Sequence, residues 1–135
     1  MDNYKKVYVS TGYFKNLNGT QMVKKFSSNG IFQLELSGGK FSKNIEANLI
    51  KLSKKYDLRI HNYFPPHNDG FVINLASTNK NVLNKSIKHI INSINLAKKM
   101  KSKFYSFHAG FRIDPNLKHL GKEFLKTKLT KRSTA

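Results

Sequence analysis

The sequence predicts an α/β protein built on parallel strands. Four short apolar segments are separated from one another by segments with helical spacing, and this alternation continues to about residue 114. A strand, a helix and a second strand in succession favour parallel pairing through right-handed crossovers. Both an open doubly wound sheet and a closed barrel are compatible with such a pattern.

The four predicted strands are the apolar segments themselves. In chain order they cover residues 7–11, 31–36, 58–61 and 104–108, and the second and third read IFQLEL and LRIH. After the first strand the sequence STGYFKN lacks the GxGxxG spacing of dinucleotide-binding folds. The Gly38-Gly39 pair after the second strand favours a turn over a phosphate-binding loop. The sequence therefore argues against a dinucleotide site.

Three helices are predicted between the strands. Thr20 and Ser42 are the expected N-caps of the first two helices, and Asn29-Gly30 is expected to end the first. The predicted inward faces are Val23 and Phe26 in the first helix, Ile45, Leu49, Leu52 and Tyr56 in the second, and Leu83, Ile87, Ile90, Ile91, Ile94 and Ala97 in the third. The side chains expected to face solvent on the third helix are Lys85, Lys88, Asn92 and Lys99.

Composition excludes several classes of protein. The chain has 135 residues and no cysteine, which excludes disulfides, thiolate metal sites and a cysteine nucleophile. The N-terminal sequence MDNYKKVYVS lacks the apolar run of a signal peptide, and no window approaches 18 apolar residues. We therefore expect a cytoplasmic protein that has no membrane partner.

The charge balance is strongly basic. Twenty-five Lys and Arg residues stand against seven Asp and Glu residues, giving a net charge of +18. This balance favours anionic partners such as phosphorylated substrates or nucleic acid. A lysine-rich and asparagine-rich composition is the alternative explanation, because the lysines are scattered along the chain. Residues 115–135 are expected to form a basic, poorly ordered tail.

The candidate functional residues lie where the predicted strands end, because parallel β/α folds gather function at the carboxyl ends of their strands. His61 and His108 end the third and fourth strands, and their imidazoles could hold a divalent metal or form a hydrogen-bonded pair at the rim. Glu35 in the second strand could be a ligand, a substrate acceptor or a structural carboxylate. Weaker candidates are His67 in the following loop, His89 on the outer face of the third helix, and His119 in the tail.

A family resemblance rests on four segments. IHNYFPP and FVINLAS, the helix NKSIKHIINSINLAKKM and the strand FYSFHAGF together resemble the xylose isomerase-like superfamily of (β/α)8 TIM barrels. The resemblance covers residues 7 to about 114 and is most specific from 58 to 111. This superfamily contains sugar phosphate isomerases and epimerases, and the AP endonucleases of the endonuclease IV type. LELSGG and HNYFPP look more like the isomerase branch, whereas the nuclease-type His-Pro-Gly is here His108-Ala109-Gly110.

The resemblance implies roles for the candidate residues. His61 and His108 would hold a divalent metal (Zn, Mn, Mg or Co) in the nuclease branch, or line the substrate pocket in the sugar branch. The loop from Asn62 to Ser77 would cover that pocket, with Tyr63 and Phe64 as its aromatic wall. The implied substrate-binding set is Glu35, His61, Asn62, Tyr63, Phe64 and His108.

The expected activity is therefore that of a sugar phosphate isomerase or epimerase. The alternatives are a metal-dependent AP endonuclease and a non-catalytic basic module that binds nucleic acid. A full barrel has eight β/α units, whereas about four are recognised here. Residues 1–114 are thus expected to form the N-terminal half of such a barrel, truncated and without a complete site. Self-association through the exposed sheet edges is the less favoured alternative to truncation.

Overall fold

The structure, a computed structural model, describes residues 7–119, and it describes side chains as far as Lys118. It is an α/β protein with one four-stranded parallel sheet, as the sequence predicts. The strands are β1 (Val9–Ser10), β2 (Gln33–Leu36), β3 (Asp57–His61) and β4 (Tyr105–Ser106). The helices are α1 (Gly19–Ser27), α2 (Ile45–Leu52) and α3 (Lys80–Lys99), and a short 3-10 helix covers Leu117–His119. The predicted strands are thus all present, but each of the outer two keeps only two residues of regular pairing.

The strands lie side by side in the order in which they occur along the chain. β1 pairs with β2, β2 with β3 and β3 with β4, every pair being parallel. The described residues fall into two compact units. The first unit contains the residues up to Asn68 together with Ser93–Phe107, and the second contains Asp69–Asn92 together with the residues from His108 onward. The whole sheet belongs to the first unit.

The two faces of the sheet differ in polarity. In β2 and β3, Leu34, Leu36, Leu58 and Ile60 are buried, while the residues between them are only half-buried. Because successive side chains in a strand point to opposite faces, the four apolar side chains share one face and pack in the core. That core consists of Met22, Val23, Leu34, Leu36, Ile45, Leu49, Leu58, Ile60, Phe64, Leu96, Ala97 and Met100. The opposite face of the sheet carries polar and charged side chains.

The N-terminus of α1 differs from its prediction. Asn18, and not Thr20, is the N-cap: its Oδ1 accepts from the backbone N–H of Gln21 at 3.0 Å, and Gln21 Oε1 accepts from the N–H of Asn18 at 2.9 Å. This reciprocal capping box satisfies two amide groups that have no partner within the helix. Gly30 adopts a left-handed φ of 76° just beyond α1, as expected for the residue that ends this segment.

The prediction that Ser42 is the N-cap of α2 is also wrong. Asn44 occupies the N-cap position without a side-chain cap bond, and Ser42 contributes only its carbonyl, which accepts from Ile45 N at 3.2 Å. The inward face of this helix agrees better with the sequence. Ile45 and Leu49 are buried, and Leu52 and Tyr56 pack against the core from partly buried positions, Tyr56 lying beyond the helix end.

The buried face of α3 is rotated from the predicted stripe. Ile90 and Ala97 are buried as expected, but Ile87, Ile91 and Ile94 are exposed. The buried residues of the helix are instead Ser86, His89, Ile90, Ser93, Leu96 and Ala97, and Met100 follows them. Lys85, Lys88, Asn92 and Lys99 face solvent as predicted. None of the helices in residues 7–119 is both long and apolar enough to cross a membrane.

Hydrogen bonding explains why serines take the place of isoleucines on this face. Ser86 Oγ donates to Val82 O at 2.8 Å and accepts from Asn74 N at 2.9 Å. In the first unit, Ser93 Oγ donates to the carbonyl of Phe64 at 2.9 Å. Polar groups with such partners are buried at little cost, and hydropathy spacing alone does not detect them.

Candidate functional site

Three side chains meet at the carboxyl ends of β2, β3 and β4. His61 and Ser106 are register partners on neighbouring strands, and His61 Nδ1 lies 2.9 Å from Ser106 Oγ. Glu35 Oε1 lies 3.6 Å from the same Nδ1. The side chains of His61 and Glu35 are 27% and 31% exposed, so solvent reaches both. We call Glu35, His61 and Ser106 the carboxyl-edge cluster. The structure therefore brings together two of the residues that the sequence singled out.

The cluster combines three groups that suit a polar substrate. An imidazole can donate or accept a proton near neutral pH, and a carboxylate accepts hydrogen bonds from hydroxyl groups. The hydroxyl of Ser106 can act as donor or acceptor toward Nδ1, depending on the tautomer of the ring. The sequence did not single out Ser106. This residue lies within the predicted fourth strand, in the segment KFYSFH.

Backbone contacts hold the end of β3 against β4. Asn62 has a left-handed φ of 49°, a conformation that asparagine tolerates better than most residues. Its N–H donates to Ser106 O at 2.6 Å, and its carbonyl accepts from Tyr105 Oη at 3.0 Å. Through these contacts Asn62 holds the end of β3, and with it His61, against β4.

The two aromatic residues after Asn62 have different environments. Tyr63 is half-buried, and its Oη accepts from the backbone N–H of His67 at 3.3 Å. Phe64 was expected to line the pocket, but its side chain is fully buried in the hydrophobic core. A Cβ added to Gly19 would lie 2.7 Å from the Phe64 ring, which shows how closely this ring is packed. Phe64 therefore supports the fold and does not wall an open site.

The remaining histidines are in varied positions. His108 is exposed and belongs to the second unit, and His67 is exposed in the first. His89 was expected on the outer face of α3, yet only 2% of it is exposed, and its ring meets that of Phe71 edge to face at 5.8 Å between centroids. The aromatic contact contributes to the packing of this imidazole. The side chain of His119 and residues 120–135 of the predicted tail lie outside the described part of the chain.

Metal ligation was expected at His61 and His108. In the described residues no group of three or more His, Asp or Glu side chains is placed to hold a metal ion. Glu35 and His61 supply one carboxylate oxygen and one imidazole nitrogen 3.6 Å apart. Ligand bonds of about 2.1 Å place two donors of one metal at a comparable separation, so this pair fits two corners of a coordination sphere.

A second cluster lies on the polar face of the sheet and was missed by sequence analysis. Tyr8 Oη donates to Asp57 Oδ2 at 2.7 Å. The guanidinium of Arg59 lies over the Tyr8 ring, 3.5 Å from its centroid, and over the Phe104 ring at 4.7 Å. We call Tyr8, Arg59 and Phe104 the arginine cluster. The polar positions of DLRIH alternate with apolar ones, and this period of two could have identified Arg59 as a residue on the polar face.

Two tyrosines of the first unit have perturbed acidity. Burial, and next the hydrogen bond to Asp57, raise the pKa of Tyr8 above its ordinary value, and burial raises the pKa of Tyr105. A raised folded-state pKa means that the neutral phenol stabilises the fold below the ordinary tyrosine pKa of about 10. That stabilisation is lost as the pH rises through the higher folded-state value.

We therefore expect the free energy of unfolding to fall above about pH 10, and to fall less steeply in Tyr105→Phe. Denaturant titrations at several alkaline pH values measure the slope, and tyrosinate absorbance follows the ionisation directly. Tyr13→Phe is the control, because the Tyr13 ring is 88% exposed. A wild-type slope in Tyr105→Phe would contradict the assignment.

The second unit contains a buried polar network around Asn74. Its Oδ1 accepts from Phe111 N at 2.8 Å and from Ala76 N at 3.1 Å. Its Nδ2 donates to Ile113 O at 3.1 Å and to Asp114 Oδ1 at 2.7 Å, and Ser77 Oγ donates to the other oxygen of Asp114. Sequence analysis interpreted Asp114-Pro115 only as the start of a turn. The network shows that Asp114 also anchors residues 109–114 to the segment around Asn74.

An open pocket of about 350 Å³ lies in the same unit. Its lining residues are Gly70, Phe71, Val72, Asn81, Val82, Lys85, Asp114, Pro115, Asn116 and Leu117. Lys85 Nζ forms an ion pair with Asp69 at 2.7 Å and lies 4.9 Å from the Phe71 ring centroid. Asp114 is committed to the Asn74 network, so the charged groups at this pocket already have protein partners.

Comparison with protein-family models, with curated proteins and with solved structures finds no match for this chain. The fold itself defines the class of the protein, which is the α/β class with a four-stranded parallel sheet.

Proposed function

We propose that the chain carries part of a substrate site of the sugar phosphate isomerase and epimerase type, on β/α units that form part of a TIM barrel. The order of the strands supports the barrel. A doubly wound sheet reverses its strand order at a switch point, whereas successive β/α units of a barrel add strands in sequence order. β1, β2, β3 and β4 follow one another in that way.

The observation that carries the proposal is the carboxyl-edge cluster. His61 and Glu35 are half-exposed, lie within 3.6 Å of each other and belong to different strands that end at the same edge. Ligand sites of parallel β/α folds lie at this edge. A polar substrate with several hydroxyl groups would find both a proton carrier and a carboxylate acceptor there.

Isomerisation and epimerisation of a sugar need proton transfer at a carbon next to a carbonyl. In this proposal His61 accepts or returns that proton, Glu35 accepts a hydrogen bond from a sugar hydroxyl, and Ser106 orients the imidazole through Nδ1. If Glu35 and His61 instead held a divalent ion (Zn, Mn, Mg or Co), that ion would polarise the carbonyl oxygen, and a group other than His61 would move the proton.

The net charge of +18 supports a phosphorylated substrate and would equally attract nucleic acid. The two differ in how binding depends on salt. Nucleic acid binding through many phosphate contacts weakens steeply as salt rises, whereas one phosphate monoester gives a shallow dependence.

Calorimetric titration of the 135-residue chain with a ketose phosphate tests the proposal, with the unphosphorylated ketose and inorganic phosphate as reference ligands. We expect the ketose phosphate to bind more tightly than either reference. His61→Ala should weaken it by about tenfold or more, because a hydrogen bond to a charged group contributes about 1.5–3 kcal/mol.

His67→Ala is the matched control, since His67 is an exposed histidine of the same unit outside the cluster. Its affinity should stay close to that of the wild type. Equal affinities for ketose phosphate and inorganic phosphate would contradict the proposal. Cleavage of abasic duplex DNA, without ketose phosphate binding, would favour the endonuclease alternative instead.

A further inference from the structure

The guanidinium of Arg59 contacts two aromatic rings on the polar face of the sheet. The Tyr8 ring lies 3.5 Å from it and the Phe104 ring 4.7 Å. At these distances the guanidinium makes cation–π contacts with both rings, and arginine is the side chain that makes such contacts most often. The two contacts therefore restrict the Arg59 side chain and reduce the entropy that would be lost when a ligand orders it.

The two carboxylates on this face of β2 and β3 have partners of their own. Asp57 Oδ2 accepts from Tyr8 Oη at 2.7 Å, which also holds the Tyr8 ring in place. Glu35 is the register partner of Arg59, but its Oε1 lies 3.6 Å from His61 Nδ1. Asp57 thus supports one wall of the arginine cluster, while Glu35 belongs to the carboxyl-edge cluster.

We propose that Arg59 binds the phosphate group of a small ligand on the polar face of the sheet. Arginine is suited to this task because its planar fork of N–H donors matches two oxygens of a phosphate at once. Arg59 precedes His61 by two residues, so both side chains lie on the same face of β3, with Cα atoms roughly 6.6 Å apart. This distance is comparable to the length of a small phosphorylated sugar.

A ketose phosphate can therefore place its phosphate at Arg59 and its reacting carbons at the carboxyl-edge cluster. The assignment of the sugar rests on the proposed function. The phosphate site itself rests only on the geometry of the arginine cluster, so the two can be tested separately.

The test titrates inorganic phosphate, and then a ketose phosphate, into the 135-residue chain at constant ionic strength. Arg59→Gln removes the charge and the fork, and Arg59→Lys keeps a charge but loses the fork. Lys51→Gln is the control, because it removes one positive charge at an exposed position of α2. Circular dichroism establishes that each variant is folded.

We expect Arg59→Gln to weaken phosphate binding by about tenfold or more, Arg59→Lys to weaken it several-fold, and Lys51→Gln to leave it almost unchanged. Equal losses in Arg59→Gln and Lys51→Gln would mean that the basic chain attracts phosphate through its overall charge, and would overturn the proposal. Should Arg59→Gln fail to fold, wild-type affinity in Arg59→Lys would overturn it.

The outcome separates this site from the proposed function. Loss of phosphate binding in Arg59→Gln, together with a ketose phosphate that binds wild type no better than inorganic phosphate, supports the Arg59 site and contradicts the sugar substrate. Tight ketose phosphate binding that needs His61 but is unchanged in both Arg59 variants supports the proposed function and overturns the Arg59 site.

Discussion

Phe64→Ala is expected to lower the free energy of unfolding by about 3–5 kcal/mol. The side chain is fully buried in the hydrophobic core of the first unit, and its ring packs beside Gly19. Its removal would leave a cavity that neighbouring side chains fill only in part, and this residual cavity adds to the lost burial of the ring. The segment that positions His61 would lose the anchor three residues after it.

Urea denaturation followed by circular dichroism measures the change. Phe41→Ala is the matched control, because the Phe41 ring is 44% exposed and the same atoms are removed. We expect the control to cost less than about 1 kcal/mol. A loss in Phe64→Ala as small as that expected for the control would show that Phe64 is not a core residue, and would restore the interpretation of this ring as part of an open site.

Asn74→Ala is expected to destabilise the second unit by about 3 kcal/mol. The Asn74 side chain makes four hydrogen bonds, and one of them is to the carboxylate of Asp114. A neutral hydrogen bond contributes about 0.5–1.5 kcal/mol and one to a charged group about 1.5–3 kcal/mol, while partners left buried and unpaired add a penalty. Several such losses at one residue account for the size of the effect.

Hydrogen exchange locates this effect. The amide of Phe111 donates to Asn74 Oδ1, so its protection should fall in the variant. Asn92→Ala, at an exposed position of α3, should leave both stability and exchange almost unchanged. Unchanged protection of the Phe111 amide in Asn74→Ala would contradict the network.

The sequence predicted the order and type of the elements, because apolar runs and helical spacing report burial directly. It misplaced the inner face of α3, since the helix turns Ser86, His89 and Ser93 inward and leaves Ile87, Ile91 and Ile94 exposed. The inward serines are stabilised by hydrogen bonds to Val82, Asn74 and the Phe64 carbonyl. Asn74 and Phe64 are distant along the chain from these serines, and a hydropathy pattern contains no information about such contacts.

Only part of the candidate site could be predicted, because some of its contacts also join residues that are distant along the chain. Glu35 and His61 were identified because they end strands, a local property of the sequence. Phe64 was assigned to the wall of an open pocket by the family resemblance, but its ring packs beside Gly19 in the core. The arginine cluster joins residues from three distant segments, and only the fold brings Tyr8 and Phe104 to Arg59.

The central claim is that the carboxyl ends of β2, β3 and β4 bind a small phosphorylated sugar. Backbone amide shifts, measured by nuclear magnetic resonance during titration with a ketose phosphate, test it most directly. We expect the largest shifts at residues 35–37, 59–62 and 105–106, and we expect them to disappear in His61→Ala. Shifts of similar size spread over the exposed lysines of α1, α2 and α3, and unchanged in His61→Ala, would contradict it.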